Sequence, residues 1–500
     1  MGTFIIGIII LVVGGYFYGA FCEKTFGPDD RETPAVTKAD GVDYVVMKKW
    51  KNSLVNLLNI AGTGPVLGPI QGILFGPVAF ITIPIGCVIA GSMHDYFAGM
   101  ISMRNGGAQM PKLIKKYLGQ KVFSVYNIIV WILMLLVGVV FVYTPGDLIV
   151  KELIGQAPEF TNPVTWIVYV AIFVYYLIAT LFPIDAIIGR IYPVFGAILV
   201  ISAVGIFCGI LFGGKGQYLQ NLSMANGIFG HHPQKLPLIP IFFITVACGI
   251  LSGFHATQNT LIARTVKSEK EGRMTFFNMM LVEGFIAMCW AAGTMILFGK
   301  GTAIDTNATL MVGIISRDFL GNVGGVLAIL GVIVLPITSG DTAFRGLRLM
   351  IAEQFNIDQQ DARKRLSLTF GIFIPAFFIL IWAKSSPQGF SILWRYFAFT
   401  NQFVGIFALA MEAIFLYING KNYIIPLVPG AFYTFVTMSF IFHAPIGFGL
   451  EQRIGSMFGM EPSSYTLSYI VAAVLTIAYI MFIKKHSISQ KDKILQNVLS

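Results

Sequence analysis

In this 500-residue sequence few charged side chains fall inside the apolar stretches, and those that do mark where chemistry can happen. Glu283 sits well inside the apolar run 276–299. A carboxyl at that depth is either a group that loads and releases a proton or a neutral hydrogen-bond partner between helices. His255 lies in Ala247-Cys-Gly-Ile-Leu-Ser-Gly-Phe-His-Ala-Thr-Gln258, where it is a site residue or a packed histidine. Thr338, Ser339, Asp341 and Thr342 place four oxygen-bearing side chains within five residues, the ligand type a hard cation such as Na⁺ requires. The competing reading pairs Asp341 with Arg345 one turn later. His94 and Asp95 fall near the end of another apolar run and read as a gate or a helix cap. Glu412 is a further carboxyl in an apolar run, whereas Arg190 and Arg395 read as snorkelling at run ends. The five cysteines have no CxxC or Cys/His spacing, so neither a zinc site nor a disulfide framework is expected. No HExxH and no nucleophile with a neighbouring base is present, which disfavours a membrane-bound enzyme, and no cofactor is expected.

These groups need elements to hold them, and composition says which. Apolar residues make up 56% of the chain and charged residues 12%. A soluble domain carries about 25% charged residues, so the surplus apolar surface needs lipid as its solvent. The net charge of +10 sits in short connectors, not on a water-facing patch, which argues against nucleic acid. A helix needs about 20 apolar residues to cross a bilayer. Runs of that kind occur at 3–22, 53–76, 79–102, 121–144, 163–183, 191–213, 238–258, 276–299, 322–341, 366–384, 392–417, 423–444 and 464–484. The first has no basic residue before it and reads as a retained helix, not a signal peptide. With the N-terminus outside and the C-terminus cytoplasmic, the cytoplasmic connectors hold 26 of the 34 Lys and Arg residues. That is the asymmetry the positive-inside rule demands, and a miscounted span would have scrambled it. Pro111–Leu118 reads as an amphipathic helix on the membrane surface, and Arg345–Arg365 reads similarly.

Two of the runs are interrupted. Asn59-Ile-Ala-Gly-Thr-Gly-Pro-Val-Leu-Gly-Pro69 has three glycines and two prolines, and the second break holds Ser252, Gly253, His255, Thr257 and Gln258. Unwound backbone at membrane depth is tolerated only where it is buried in protein or lines a cavity. The first interrupted run opens one block of five spans, and the second opens another of opposite orientation. That pattern points to an inverted-repeat secondary transporter. The expected fold is therefore an all-α membrane protein of about thirteen transmembrane helices, with a 5+5 inverted-repeat core and two discontinuous helices. The expected units are 1–52 (first helix and connector), 53–213 (first repeat), 238–417 (second repeat) and 418–500 (two last helices and tail). A half-helix starting near Val66 or Thr257 offers free N–H groups and a positive dipole end to an anion such as a carboxylate. Carbonyls ending the preceding half suit Na⁺ or a protonated group. Gly62, Thr63, Gly64, Ser252, Gly253, His255, Thr257 and Gln258 are the expected substrate contacts. Glu283 is the expected proton-linked residue, and Thr338, Ser339, Asp341 and Thr342 the expected cation ligands.

The chain resembles the carbon starvation protein A family at these same segments. The likeness is carried by Thr33-Pro-Ala-Val36 with Asp40-Gly-Val-Asp-Tyr44, Ile60–Pro69, Ala90-Gly-Ser-Met-His-Asp95, Phe243–Gln258, Glu283-Gly-Phe-Ile-Ala287 and Thr338–Arg345. The resemblance implies a multi-pass transporter of the bacterial cytoplasmic membrane, related to amino acid–polyamine–organocation carriers, taking up peptides during carbon starvation or pyruvate with protons. The sequence departs from the family's pattern at Val55-Asn56, where longer members have His-His, and at Asn259-Thr260 after the second break. Both changes flank the expected site, so substrate identity does not transfer from any one relative. The expected partners are a small solute (peptide or pyruvate) and the lipid bilayer; oligomeric state is not legible. A solute sensor that does not transport, and a channel, are the rival readings.

Overall fold

Every regular element described is helical. The computed structural model describes residues 1–40, 44–181, 188–224, 232–304, 307–359 and 361–499. Among the described residues eleven helices are long and apolar enough to cross a membrane, and the pair Lys49–Ile60 and Gly64–Phe75, bent by 50° at its break, makes a twelfth. The remaining expected crossing, 238–258, exists only as short pieces: Leu238–Phe242, Phe243–Thr245, Ala247–Ile250 and Gly253–Ile262. Glycines and the cluster of hydroxyl and amide side chains account for this, because each competes with a continuous i to i−4 ladder.

The elements used below are α1 (Gly2–Phe26), α2 (Lys49–Ile60), α3 (Gly64–Phe75), α4 (Ala79–Arg104) and α5 (Met110–Leu118). They continue with α6 (Gln120–Ile154), α7 (Pro163–Leu181), α8 (Ile188–Leu211), α9 (Ala247–Ile250) and α10 (Gly253–Ile262). The remainder are α11 (Glu269–Gly299), α12 (Ala308–Gln354), α13 (Ala362–Ser385), α14 (Gly389–Ile418), α15 (Ile424–His443) and α16 (Thr466–Leu499).

Connectors sort onto two faces, as their mutual contacts show. On one face the Thr33 hydroxyl donates to Val266 O (2.6 Å), Lys38 Nζ donates to Gly106 O (2.9 Å) and Lys421 Nζ donates to Phe26 O. His486 Nε2 in α16 meets Tyr117 O of the surface helix α5 there at 2.9 Å. On the other face the N-terminal amine donates to Leu219 O (3.2 Å), Lys215 and Lys300 both reach Asp318, and Tyr469 OH donates to Ile239 O. The segment joining these faces between Ile239 and Val266 must cross, so the fragmented stretch is a true passage through the protein.

Three differences from the sequence reading stand out. Arg345–Gln354 does not form a separate surface helix but continues α12, which instead breaks at Gly321 (φ 69°, ψ −170°), a conformation that glycine alone adopts readily. α2 and α3 take up the first break through Ala61 (φ −84°, ψ 66°), so the second half starts at Gly64, two residues earlier than expected. In the second break Leu251 and Ser252 are extended (ψ 124° and 116°) and α10 starts at Gly253, which leaves Thr257 and Gln258 inside the half-helix and not at its mouth. The core is one large cluster of buried apolar side chains, with a small second one of Leu11, Cys87, Val88 and Met280.

Candidate functional site

The two broken crossings lie side by side. α3 packs against α9, and α2 packs against α10, so the breaks face one another. Glycine makes this approach possible: a Cβ on Gly64 would lie 2.3 Å from Cys248 Cβ, and one on Gly253 would lie 2.4 Å from Asn401 O and Gly405 N. Between the breaks is a small enclosed cavity of about 10 Å³ for water-sized centres, room for about one water molecule. Gly62, Gly64, Ser252 and His255 line it, together with Asn59, Phe141, Phe397 and Asn401. Four of the eight expected substrate contacts thus meet in one place. Thr63 adjoins it in sequence, with a buried hydroxyl that has no hydrogen-bond partner among the described residues. Thr257 and Gln258 turn inward on their own helix: Thr257 Oγ1 donates to Phe254 O (2.6 Å) and Gln258 Nε2 donates to Thr257 Oγ1 (3.3 Å).

A string of buried titratable side chains leads away from this cavity. His255 Nδ1 lies 3.1 Å from Asp95 Oδ2, and His94 Nδ1 lies 2.9 Å from Asp95 Oδ1. His255 Nε2 is 3.4 Å from Glu283 Oε2, at an angle too poor for a hydrogen bond. All four side chains are essentially out of solvent contact. His94 and Asp95 therefore lie deeper than the span-end position assigned from sequence, one turn after a wide π-helical stretch at Cys87–Ser92. A carboxylate accepts only, so Asp95 fixes the N–H at Nδ1 of both rings and leaves each Nε2 as an acceptor. His255 Nε2 thus faces the Glu283 carboxyl with its lone pair, out of hydrogen-bond alignment in this conformation. Glu412, also buried, has both carboxyl oxygens unpartnered among the described residues.

The Thr338–Thr342 group lies elsewhere. Thr338 Oγ1 donates to Leu335 O (2.8 Å), Thr342 Oγ1 donates to Ser339 O (2.8 Å), and Asp341 pairs with Arg345 at 3.1 Å. None of these residues lines the cavity; they stand behind Phe141, whose Cβ comes within 3.2 Å of a Cβ built on Gly340. The side chain of Arg190 lies outside the described residues.

On α14 the sequence reading noted Arg395 and Glu412 and passed over the side chains that hold the second break open. Asn401 Oδ1 accepts from Ser252 Oγ (3.1 Å) and from the Phe254 N–H (2.8 Å), while its Nδ2 donates to Cys248 Sγ (3.4 Å). Gln402 Nε2 donates to Phe243 O (2.6 Å) and Trp394 Nε1 donates to Thr245 O (3.1 Å). α14 thus replaces with side chains the hydrogen bonds the unwound backbone has lost. The polar triplet Thr400-Asn401-Gln402 in an otherwise apolar run was the signal. A second buried pair, Lys384 with Asp147 at 2.7 Å and Tyr169 donating to the same carboxylate (2.5 Å), joins α13 to α6. Among the described residues no three His, Cys, Asp or Glu side chains gather so as to hold a metal ion.

Known proteins resemble this chain at both levels. The family model described as carbon starvation protein CstA matches residues 1–224, 150–313 and 291–440. An uncharacterized membrane protein of Haemophilus influenzae is 41% identical over 332 residues, 57% of this chain and 87% of that one. The peptide transporter CstA of Escherichia coli is 23% identical, with 93% of this chain and 85% of that one covered. The pyruvate/proton symporter BtsT of Escherichia coli is 25% identical over 60% of this chain and 49% of its own length. In fold the chain is similar to the Eremococcus coleocola manganese transporter crystallised with an aromatic bis-isothiourea substituted compound, with a TM-score of 0.54 at 14% identity over 91% of this chain and 99% of that one.

Proposed function

Because the chain belongs to the carbon starvation protein CstA family, we propose that it is a secondary active transporter importing small carboxylate-bearing nutrients, peptides first, driven by a cation gradient. The observation that carries the reading is the join between the two breaks and the buried string His94–Asp95–His255–Glu283. His255 belongs to both: one edge of its environment is the cavity where a solute would sit, and the other is a carboxyl that can carry a proton. A solute entering the break would therefore change the surroundings of the proton carrier directly, which is what coupling requires.

The driving ion in this reading is the proton, held on Glu283. Thr338, Ser339, Asp341 and Thr342 form the alternative Na⁺ position, and His94 and Asp95, first assigned to a gate, complete the proton string. Two five-helix repeats of opposite orientation would rock about the paired breaks. The basic face is closed by a two-pronged clamp, Arg104 Nε and Nη2 each 2.9 Å from Glu269, and the opposite face opens into a larger cavity. That asymmetry supports alternating access with the basic face cytoplasmic. Peptide comes before pyruvate because the similarity to the named peptide transporter spans 93% of this chain and that to the named pyruvate/proton symporter 60%.

The test is uptake by purified protein in liposomes. Labelled dialanine should accumulate under an imposed inward proton gradient, and Glu283→Gln should abolish that dependence. Accumulation that tracks Na⁺ instead would move the coupling site to Asp341. Equal uptake with no gradient at all would remove the coupling claim.

A further inference from the structure

The second cavity, on the face away from the basic connectors, holds about 580 Å³, within the range of small-molecule sites. Its walls are the far end of α3 (Ile70 to Phe75), the entry to the second broken crossing (Ile241, Thr245), the ends of α11 and α12, and the first turns of α14. Its lining contains one cation, Arg395, and no aspartate or glutamate among the described residues. No carboxylate among the described residues lies within ion-pair distance of that guanidinium, although Arg31, Arg104, Arg273, Arg317 and Arg345 each have one. Half-buried near the start of α14, Arg395 stands in the wall of this cavity.

His232 stands in the same wall, its ring 4.8 Å from that of Phe75. Its Nδ1 accepts from the Gln234 N–H at 3.1 Å, which places the ring proton on Nε2 as a donor. Burial, and then the neighbouring Arg395, lower its pKa to about 4, so it is neutral at pH 7 and Arg395 carries the charge among the described lining residues. Ser391, one turn before Arg395 on α14, adds a hydroxyl. Apart from the Thr245 hydroxyl, the rest of the lining is aromatic, aliphatic or amide.

We infer that this cavity is an outer capture site for a carboxylate, in which Arg395 binds the anion with help from His232 Nε2–H and Ser391. The inference deepens the transport reading and rests on it for the solute's destination, though not for its binding. Arg395 and Asn401 lie six residues apart on α14, a rise of about 9 Å. Between them on the helix stands Phe397, nearly fully buried, which also lines the inner cavity. A carboxylate held at Arg395 is therefore separated from the inner cavity by an aromatic floor that must open for passage. An arginine suits this step because its planar fork binds a carboxylate through two N–H groups and stays charged. Peptide carboxyl termini and pyruvate share that group, and the test separates them.

The experiment is binding to the purified full-length protein by calorimetry, with no gradient and no transport step. The probes are dialanine, its C-terminal amide and pyruvate. Dialanine should bind and its amide should not, and Arg395→Gln should weaken dialanine roughly tenfold to a hundredfold, the loss expected when a hydrogen-bonded charge is removed. Arg395→Lys should recover part of that loss, which also controls for misfolding. Pyruvate binding as tightly as dialanine would place recognition in the carboxylate alone, whereas dialanine binding far more tightly would add the aromatic walls. Equal affinity for acid and amide, or an Arg395→Gln protein that binds like wild type, overturns the site. Carboxylate binding that depends on Arg395 in a protein that fails to accumulate solute leaves the site standing and removes the transport reading.

Discussion

At the scale of single residues, the positions with least freedom are the glycines where the two breaks touch. Gly64 faces the side chain of Cys248, whereas Gly253 faces the backbone of Asn401 and Gly405. The two should respond differently to the same added methyl. Gly64→Ala should lower the unfolding temperature in detergent by an amount that Cys248→Gly partly restores, because the obstacle is a side chain. Gly253→Ala should have no such rescue, since α14 itself would have to shift, and core insertions of this kind cost about 1–3 kcal/mol or more. His255 is a test of the buried string. His255→Gln can keep one hydrogen bond to Asp95 and cannot carry a proton, so solute binding should survive while proton-driven accumulation falls at least tenfold. A variant that still concentrates solute against its gradient would take His255 out of the coupling path. These residue types could be read in the sequence, because charge inside an apolar run is conspicuous. Their partnerships could not, since Asp95 and His255 are 160 residues apart and only packing brings them to 3.1 Å.

At the scale of elements, the broken crossings are held in shape by a neighbour that is itself unbroken. α14 supplies Trp394, Asn401 and Gln402 along one side of the unwound stretch, and each satisfies a backbone or hydroxyl group that has no helical partner. Asn401→Ala removes acceptors from both Ser252 Oγ and the Phe254 N–H, each buried. It should destabilise the protein by about 1–3 kcal/mol for each group left unpaired. Trp394→Phe loses the bond to Thr245 O and leaves a cavity where the indole was, so it sets the scale for lost packing; thermal unfolding of the two side by side gives the comparison. A smaller effect for Asn401→Ala than for Trp394→Phe would mean the break is supported by packing alone. Long apolar runs made the crossings legible, and glycine with proline made the breaks legible. Where each half-helix restarts was not legible, because Pro65 and the pairs of glycines permit several registers and tertiary contacts choose among them. The same applies to α12, which absorbs an expected surface helix into its own length and bends at Gly321 instead.

At the scale of the whole molecule, the decisive property is which face is which, because it sets the direction of transport. Connector contacts divide the chain into a face rich in Lys and Arg and a face where the N-terminal amine meets Leu219 and Tyr469 meets Ile239. Anionic lipid and the insertion machinery both favour retaining Lys and Arg on the cytoplasmic side. If that holds, the 580 Å³ cavity looks outward and the Arg104–Glu269 clamp closes the inner mouth. Two exposed positions report this directly. Lys267 lies in the basic connector and Ser463 lies between α15 and α16 on the opposite face. The native cysteines other than Cys208 are buried, so Cys208→Ala gives a quiet background. In intact cells a membrane-impermeant maleimide should label Ser463→Cys and leave Lys267→Cys untouched until the membrane is opened with detergent. The reverse pattern would turn the cavity toward the cytoplasm and make an importer of this geometry an exporter. Labelling of both from outside would mean the fragmented passage between Ile239 and Val266 does not cross, and the pairing of the two breaks at one depth would lose its basis.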